Sequence, residues 1–273
     1  MPEFFRYRLG RIDYARWEWI VMRLAFAWFV LRPGAGISVG QPVQPIPRGL
    51  AQFFDFTWIV ANPAHDILTV GFYILIGLYA LGFFPLLSTA GLLAIHTLNG
   101  TLINSQGAIH HTTQIVGFVL IGQLVAHLIT AVKARRTELA PHEISELRAR
   151  ECIYLSQQLA VAAYVATGIS KMVARGGTWV QQLPNIALQF VKTREMDYYN
   201  TLVEAPAETG NLALTLIMDY PGLAQVILGF GLLLELFAFL ALFNRPLMAA
   251  FGISLILMHQ LISEIMSLGF VFN

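Results

Sequence analysis

The feature that most constrains this chain is a series of long apolar segments that carry almost no charge. A helix needs about 20 predominantly apolar residues to cross the hydrocarbon core of a bilayer. Such segments lie at about 17–31, 67–83, 88–103, 112–132, 152–172, 222–243 and 247–270. The segment 208–219 is too short to span, and it is expected to form a half-helix or to join the next span with a kink at Pro221. We therefore predict an all-α integral membrane protein, a bundle of seven to eight transmembrane helices that forms a single domain over residues 1–273.

The composition excludes several other classes of protein. Apolar residues make up 56% of the chain and charged residues 12%, which is about half the usual charged share of a soluble domain. A soluble globule of 273 residues could not bury so much apolar surface. The formal net charge of +1 excludes a nucleic-acid partner, and the single cysteine, Cys152, excludes an intramolecular disulfide. The predicted partners are the lipid bilayer and other membrane proteins.

The distribution of lysine and arginine predicts the orientation in the membrane. With the N-terminus in the cytoplasm, ten basic residues fall on the inner face and five on the outer face, as the positive-inside rule requires. The inner set is Arg6, Arg8, Arg11, Arg16, Lys133, Arg135, Arg136, Arg148, Arg150 and Arg245, and the outer set is Arg32, Arg48, Arg175, Lys192 and Arg194. The first apolar run contains Arg23 and lacks a nearby cleavage site, so a retained helix is expected rather than a signal peptide. The charge surplus suits a bacterial plasma membrane and an organelle membrane equally. We predict a multi-pass integral protein of a bacterial plasma membrane.

Polar residues at membrane depth are the candidate functional residues, because such groups are costly in a bilayer and are usually paired or functional. They are Lys171 at the end of the fifth span, Glu235 in the sixth, His259 and Ser263 on one face of the last, and His110 and His111 at the start of the fourth. Each also has a structural interpretation. The lysine could snorkel to the interface, the histidines could be solvated or hydrogen-bonded to a neighbouring helix, and the carboxylate could be paired or protonated.

The predicted topology brings these residues to the same half of the membrane. The fifth and seventh spans run outward and the fourth begins outside, so Lys171, His111 and His259 are expected to line one outer-leaflet pocket. Tyr164 lies two turns before Lys171 on the same helix face and would belong to the same wall. The adjacent histidines His110 and His111 point apart on a helix, so no metal site is predicted.

Three motifs resemble the horizontally transferred transmembrane domain family, which includes vitamin K-dependent γ-glutamyl carboxylase. The segment YVATGISKM and the tryptophan after it match the family's lysine motif through Tyr164, Gly168, Lys171 and Trp179. The segment HHTTQIVGFVLIGQL is similar to its histidine-rich helix start. The tail HQLISEIMSLGF is similar to its last-helix signature through His259, Ser263, Ser267, Gly269 and Phe270. Glu235 stands where an acidic residue is usual, and the resemblance covers residues from about 50 to 270.

The resemblance implies chemistry on a reduced quinone. The family's lysine is the base that deprotonates a reduced naphthoquinone, and Lys171 matches it. The histidine that assists the chemistry matches His111 or else His110, and the last-helix histidine matches His259. The remaining residues of the implied quinone pocket are His110, Tyr164, Ser263 and Glu235.

The chain also departs from the carboxylase pattern. Ser170 stands where the carboxylase has a second lysine, and Glu264 stands where it has an amide. The sequence stops at Asn273, where the carboxylase continues into a large lumenal domain, so no peptide-docking domain is expected. Two functions therefore stay open. One is a carboxylase-like enzyme of quinol-linked oxidation, epoxidation or carboxylation. The other is a non-catalytic subunit that acts as scaffold, assembly factor or lipid-binding partner of a membrane complex. A transporter is a further alternative to these two.

Overall fold

The computed structural model describes residues 12–31, 47–105, 112–188, 191–192, 195, 198–199, 202, 214–215 and 217–266. These residues are mostly helical and include no strand, which confirms the predicted all-α class. The α-helices with described bounds are α1 Arg16–Val30, α2 Ala64–Leu81, α3 Pro85–Asn104, α4 Thr112–Arg136, α5 Pro141–Ala174, α6 Pro221–Leu236 and α7 Arg245–Met266. Short 3-10 helices are formed by Gly49–Gln52, Thr57–Val60, Val180–Ile186 and Ala238–Leu242.

Five segments of the described chain are long and apolar enough to cross a membrane. They are Ala64–Leu81, Pro85–Asn104, Gln114–Arg136, Pro141–Ala174 and Arg245–Ile262. Helix α1 has 15 residues and α6 has 16, so both are shorter than these five. The predicted span 222–243 is divided, because α6 ends at Leu236 and the 3-10 helix Ala238–Leu242 follows it.

Helix α5 begins much earlier than the sequence analysis predicted. The spans predicted at 112–132 and 152–172 leave residues 133–150 between them as a loop, but in the structure only residues 137–140 separate α4 from α5. The 34 residues of α5 extend over about 51 Å at 1.5 Å per residue. Its start is defined by Pro141 in the first position and by Glu143, whose carboxylate accepts a hydrogen bond of 2.7 Å from the backbone N–H of Ala140. The loop prediction is therefore wrong for most of this segment.

The described chain separates into two compact units. The N-terminal unit comprises residues 12–160 and the C-terminal unit residues 161–266, with the boundary inside α5. The prediction of a single domain stays a prediction. The main apolar core of the N-terminal unit is built from α1 to α4, by Ala27, Val30, Phe72, Ile76, Tyr79, Leu92, Val116 and Leu120. A smaller cluster in the C-terminal unit contains Ala187, Ile217 and Ala224.

A side chain orders part of the described stretch 47–63, which precedes α2. The Asp55 carboxylate accepts a hydrogen bond of 2.8 Å from the backbone N–H of Thr57, which begins the 3-10 helix Thr57–Val60. Hydrogen bonding to Thr57 lowers the pKa of Asp55, because it stabilises the ionised carboxylate. A negative side chain thus binds the first backbone N–H of this short helix.

Candidate functional site

Lys171 and Glu235 form an ion pair between α5 and α6 in the C-terminal unit. The Lys171 ammonium donates to both carboxylate oxygens of Glu235, at 2.7 and 2.6 Å. Glu235 is buried with 5% of its surface exposed, whereas 31% of the Lys171 side chain is exposed. Of the two alternatives predicted for Glu235, a paired or a protonated carboxylate, the structure shows pairing with a cation on another helix.

Gly168 allows α5 and α6 to approach each other closely next to the Lys171–Glu235 ion pair. A Cβ atom at residue 168 would lie 2.9 Å from Cδ2 and 3.2 Å from the backbone nitrogen of Leu236. The two helices can therefore approach this closely only because residue 168 has no side chain. Lys171 follows Gly168 by three residues, on the same helix face, and Glu235 directly precedes Leu236. The glycine thus sets the separation at which the ion pair forms.

Trp179 lies beside the ion pair. The Lys171 Nζ atom is 5.4 Å from the centroid of the Trp179 ring, a distance typical of a cation–π interaction. Trp179 precedes the 3-10 helix Val180–Ile186, in which Val180 Cγ1 is 3.6 Å from the Cβ position of Gly229 on α6. The tryptophan of the predicted lysine motif therefore contacts the lysine itself, held there by a segment that packs on α6.

His259 and Tyr164 form a second contact in the same unit, between α7 and α5. His259 is buried, and its Nδ1–H donates a hydrogen bond of 2.8 Å to the carbonyl oxygen of Leu255. In the neutral ring the lone pair is then on Nε2, which is the atom able to take up a proton. The ring of Tyr164 packs edge-to-face on His259, with centroids 5.9 Å apart and an interplanar angle of 60°.

The structure brings together four of the residues that the sequence analysis singled out. Lys171 and Glu235 are in direct contact, as are Tyr164 and His259, and both members of the ion pair are within electrostatic reach of His259. The two other candidate histidines, His110 and His111, lie outside the described residues. The side chain of Ser263 on α7 also lies outside them. Their place in the pocket stays a prediction. Within the described ranges, no three His, Cys, Asp or Glu side chains are grouped so as to hold a metal ion.

The sequence analysis missed several buried polar groups in the N-terminal unit. Glu151 is almost fully buried, and one of its carboxylate oxygens lies 3.7 Å from Lys133 Nζ. The sulfur of Cys152 lies 3.8 Å from His127 Nδ1. The sequence carried a signal for the helix that contains Glu151, because Pro141 followed by Glu143 is typical of a helix start, but no local signal for the burial of that carboxylate.

Comparison with known proteins adds no relative. No protein-family model matches the chain, and neither a curated protein nor a solved structure is detectably similar to it. The class of the protein therefore rests on its own residues: the five long apolar helices of the described chain are compatible with a multi-pass integral membrane protein. The likeness to the horizontally transferred transmembrane domain family stays a prediction.

Proposed function

We propose that this chain is a carboxylase-like membrane enzyme in which Lys171, Glu235, His259 and Tyr164 form a proton-transfer site for a reduced, lipid-soluble quinone. The observation that supports the proposal is the contact of Lys171 with Glu235 beside the Tyr164–His259 pair, on three different helices. A quinol is apolar and dissolves in the bilayer, so it can reach a site between transmembrane helices from the side. The proposed reaction class is quinol-linked oxidation, epoxidation or carboxylation.

The ion pair offers a route for the proton of the quinol. A proton shift from Lys171 to the Glu235 carboxylate, over a contact of 2.6 Å, leaves a neutral amine and a carboxylic acid. The amine can then accept the proton of a quinol hydroxyl, which yields the quinol anion and restores the ammonium. His259 lies within electrostatic reach and can relay the proton held by Glu235 through its Nε2 atom. His111, or else His110, would assist from the fourth span.

The proposed topology has seven to eight spans with a cytoplasmic N-terminus. Helix α6 is about 24 Å long and the 3-10 helix Ala238–Leu242 about 10 Å, at 1.5 and 2.0 Å per residue. Their sum of about 34 Å suffices for a hydrocarbon core of about 30 Å. Helix α1 would be the first span, and the surplus of lysine and arginine on the inner face supports its orientation, in a bacterial plasma membrane.

One observation favours the non-catalytic alternative, a scaffold, assembly or lipid-binding subunit of a membrane complex. The Lys171 ammonium contacts both oxygens of Glu235 and the face of Trp179, so its donors are directed at partners within the protein. Such a pair can serve to fix the register of α5 against α6. In that case the pair would be replaceable by apolar residues without loss of function.

The two proposals are separated by comparing Lys171→Met with the double variant Lys171→Met/Glu235→Leu. The single change leaves a buried carboxylate without its cation and should cost about 2–4 kcal/mol of stability, whereas the double change should recover most of that loss. Thermal unfolding in detergent measures both. The matched control is Lys192→Met, at an exposed lysine of the same unit.

Activity is then measured as consumption of a soluble reduced naphthoquinone under oxygen and carbon dioxide. The enzyme proposal expects turnover by the native protein and by Lys192→Met, and none by the stable double variant. Turnover that survives in the double variant would rule out the ion pair as the site. A native protein without turnover, together with a stable double variant, would favour the subunit.

A further inference from the structure

A cationic cavity lies at one end of the N-terminal unit, and the proposed function makes no use of it. Its volume is about 200 Å³. The polar side chains that line it include Arg16 and Arg23 of α1, His127 of α4, and Ser145 and Arg148 of α5. None of its described lining residues is acidic. Three arginines therefore face one small space with no negative group in its wall.

The charge of these arginines is not neutralised by the described part of the protein. Within that part, none of Arg16, Arg23 and Arg148 forms a salt bridge with a carboxylate. The Nε atom of Arg23 is buried and has no hydrogen-bond partner among the described residues. A charged N–H donor that is buried without an acceptor is unfavourable, and an anionic oxygen would supply the missing acceptor. An anionic oxygen in this cavity would meet guanidinium donors that have no acidic partner among the described lining residues.

The wall around Arg23 holds its guanidinium in place. Its carbon Cζ lies 6.0 Å from the centroid of the Trp19 ring, within reach of a cation–π interaction. The guanidinium also packs over Gly82, which ends α2 with a positive φ of 80°. A side chain at residue 82 would occupy the position of Arg23 Nη1, so glycine is required there both by conformation and by space. The arginine is therefore positioned before any ligand binds.

The position of the cavity indicates where its ligand comes from. Arg16 begins α1, Gly82 ends α2 and Pro85 begins α3, so the cavity opens where these helices have their ends. Under the proposed orientation this is the cytoplasmic end, at the level of anionic lipid headgroups. Guanidinium groups bind phosphate through paired N–H donors, and the Ser145 hydroxyl can add a further donor.

We propose that this cavity binds the phosphate group of an anionic ligand, held by Arg16, Arg23 and Arg148 with Ser145 as an additional donor. The phosphate can belong to a lipid headgroup of the inner leaflet or to free phosphate, and both share the chemistry that the cavity recognises. Only the lipid source depends on the proposed orientation. The site lies in the N-terminal unit, so a test of phosphate binding does not depend on whether quinol chemistry takes place at Lys171.

The test uses the full chain in neutral detergent and measures saturable binding of short-chain phosphatidylglycerol. Arg16→Gln and Arg148→Gln should each weaken binding about tenfold, the loss expected for one charge-assisted hydrogen-bonded contact. The matched control is Arg136→Gln, which removes an exposed arginine at the end of α4 that does not line the cavity. The affinity of Arg136→Gln for phosphatidylglycerol should equal that of the native protein.

Two further measurements make the result decisive. If inorganic phosphate competes with phosphatidylglycerol, the cavity accepts free phosphate. If only the lipid binds, the cavity requires the lipid headgroup. Both results support the proposed phosphate site. At one fixed concentration, the ligand should also raise the melting temperature of the native protein and of Arg136→Gln by the same amount, and that of Arg148→Gln by clearly less. Equal binding by all four proteins, or no saturable binding of either probe by the native protein, would overturn the proposal. Arg148→Lys serves as a second variant should the glutamine variant not fold, with weaker binding again expected.

Discussion

Tyr79 and Gln123 show at the residue scale how polar groups are accommodated between the helices of the N-terminal unit. The Tyr79 hydroxyl donates a hydrogen bond of 2.8 Å to Oε1 of Gln123, and both side chains are fully buried. The Nε2 atom of Gln123 has no hydrogen-bond partner among the described residues. The bond to Tyr79 is therefore the contact that makes burial of this amide tolerable.

Replacing Tyr79 by Phe should destabilise the protein by about 1–3 kcal/mol, because the Gln123 amide is then left buried without this partner. The double variant Tyr79→Phe/Gln123→Leu should recover most of the loss. The control is Tyr73→Phe on the same helix, where the side chain is exposed. Thermal unfolding in one detergent measures all of them. Equal melting temperatures for Tyr79→Phe and Tyr73→Phe would contradict the structural role of the hydrogen bond.

At the scale of elements, close approach of helices depends on single glycines. A Cβ atom at Gly122 of α4 would lie 2.8 Å from the carbonyl carbon and oxygen of Leu155 and 3.0 Å from the backbone nitrogen of Ser156 on α5. All three are backbone atoms, so no side-chain rotation can relieve the overlap. Gly77 in α2 has no atom within 4 Å of its Cβ position. Both glycines lie inside helices, but only Gly122 faces a closely packed neighbouring backbone, whereas Gly77 faces open space.

Gly122→Ala should accordingly destabilise the protein by about 1–3 kcal/mol, as expected when a well-packed contact is overfilled. Gly77→Ala should be neutral or stabilise by up to about 1 kcal/mol, because alanine has the higher helix propensity and meets no neighbour. Both variants are compared with the native protein by thermal unfolding. A stabilising Gly122→Ala would show that α4 and α5 are not in contact at this point.

At the scale of the whole molecule, the ends of α5 test the membrane topology. Arg136 and Thr178 flank this 34-residue helix and are both exposed. In a Cys152→Ala background, a cysteine at position 136 should react with an impermeant maleimide only after the cytoplasmic side is opened, and a cysteine at position 178 should react in intact cells. Labelling of both from the same side would contradict a crossing by α5. Exchanged sides would contradict the orientation alone.

The sequence by itself determined the helical class and most of the long apolar helices, because hydropathy and the 3.6-residue period are local properties of the chain. It also indicated that Glu235 needs a partner, since an isolated carboxylate among apolar residues is costly. The start of α5 was misjudged, because the charges of residues 133–150 are typical of a loop and outweighed the helix-start signal at Pro141. Charge density alone does not distinguish a loop from the charged first turns of a long helix.

Only the tertiary structure decided which residues meet. Lys171 and Glu235 are 64 residues apart in the chain, and their contact depends on the approach of α5 to α6 at Gly168. The arginine-lined cavity likewise combines side chains from α1, α4 and α5 that no local pattern connects. The physical reason is the same in both cases. A helix forms from interactions between residues three and four apart, whereas a site forms where helices pack, and packing depends on the shape of every side chain between them.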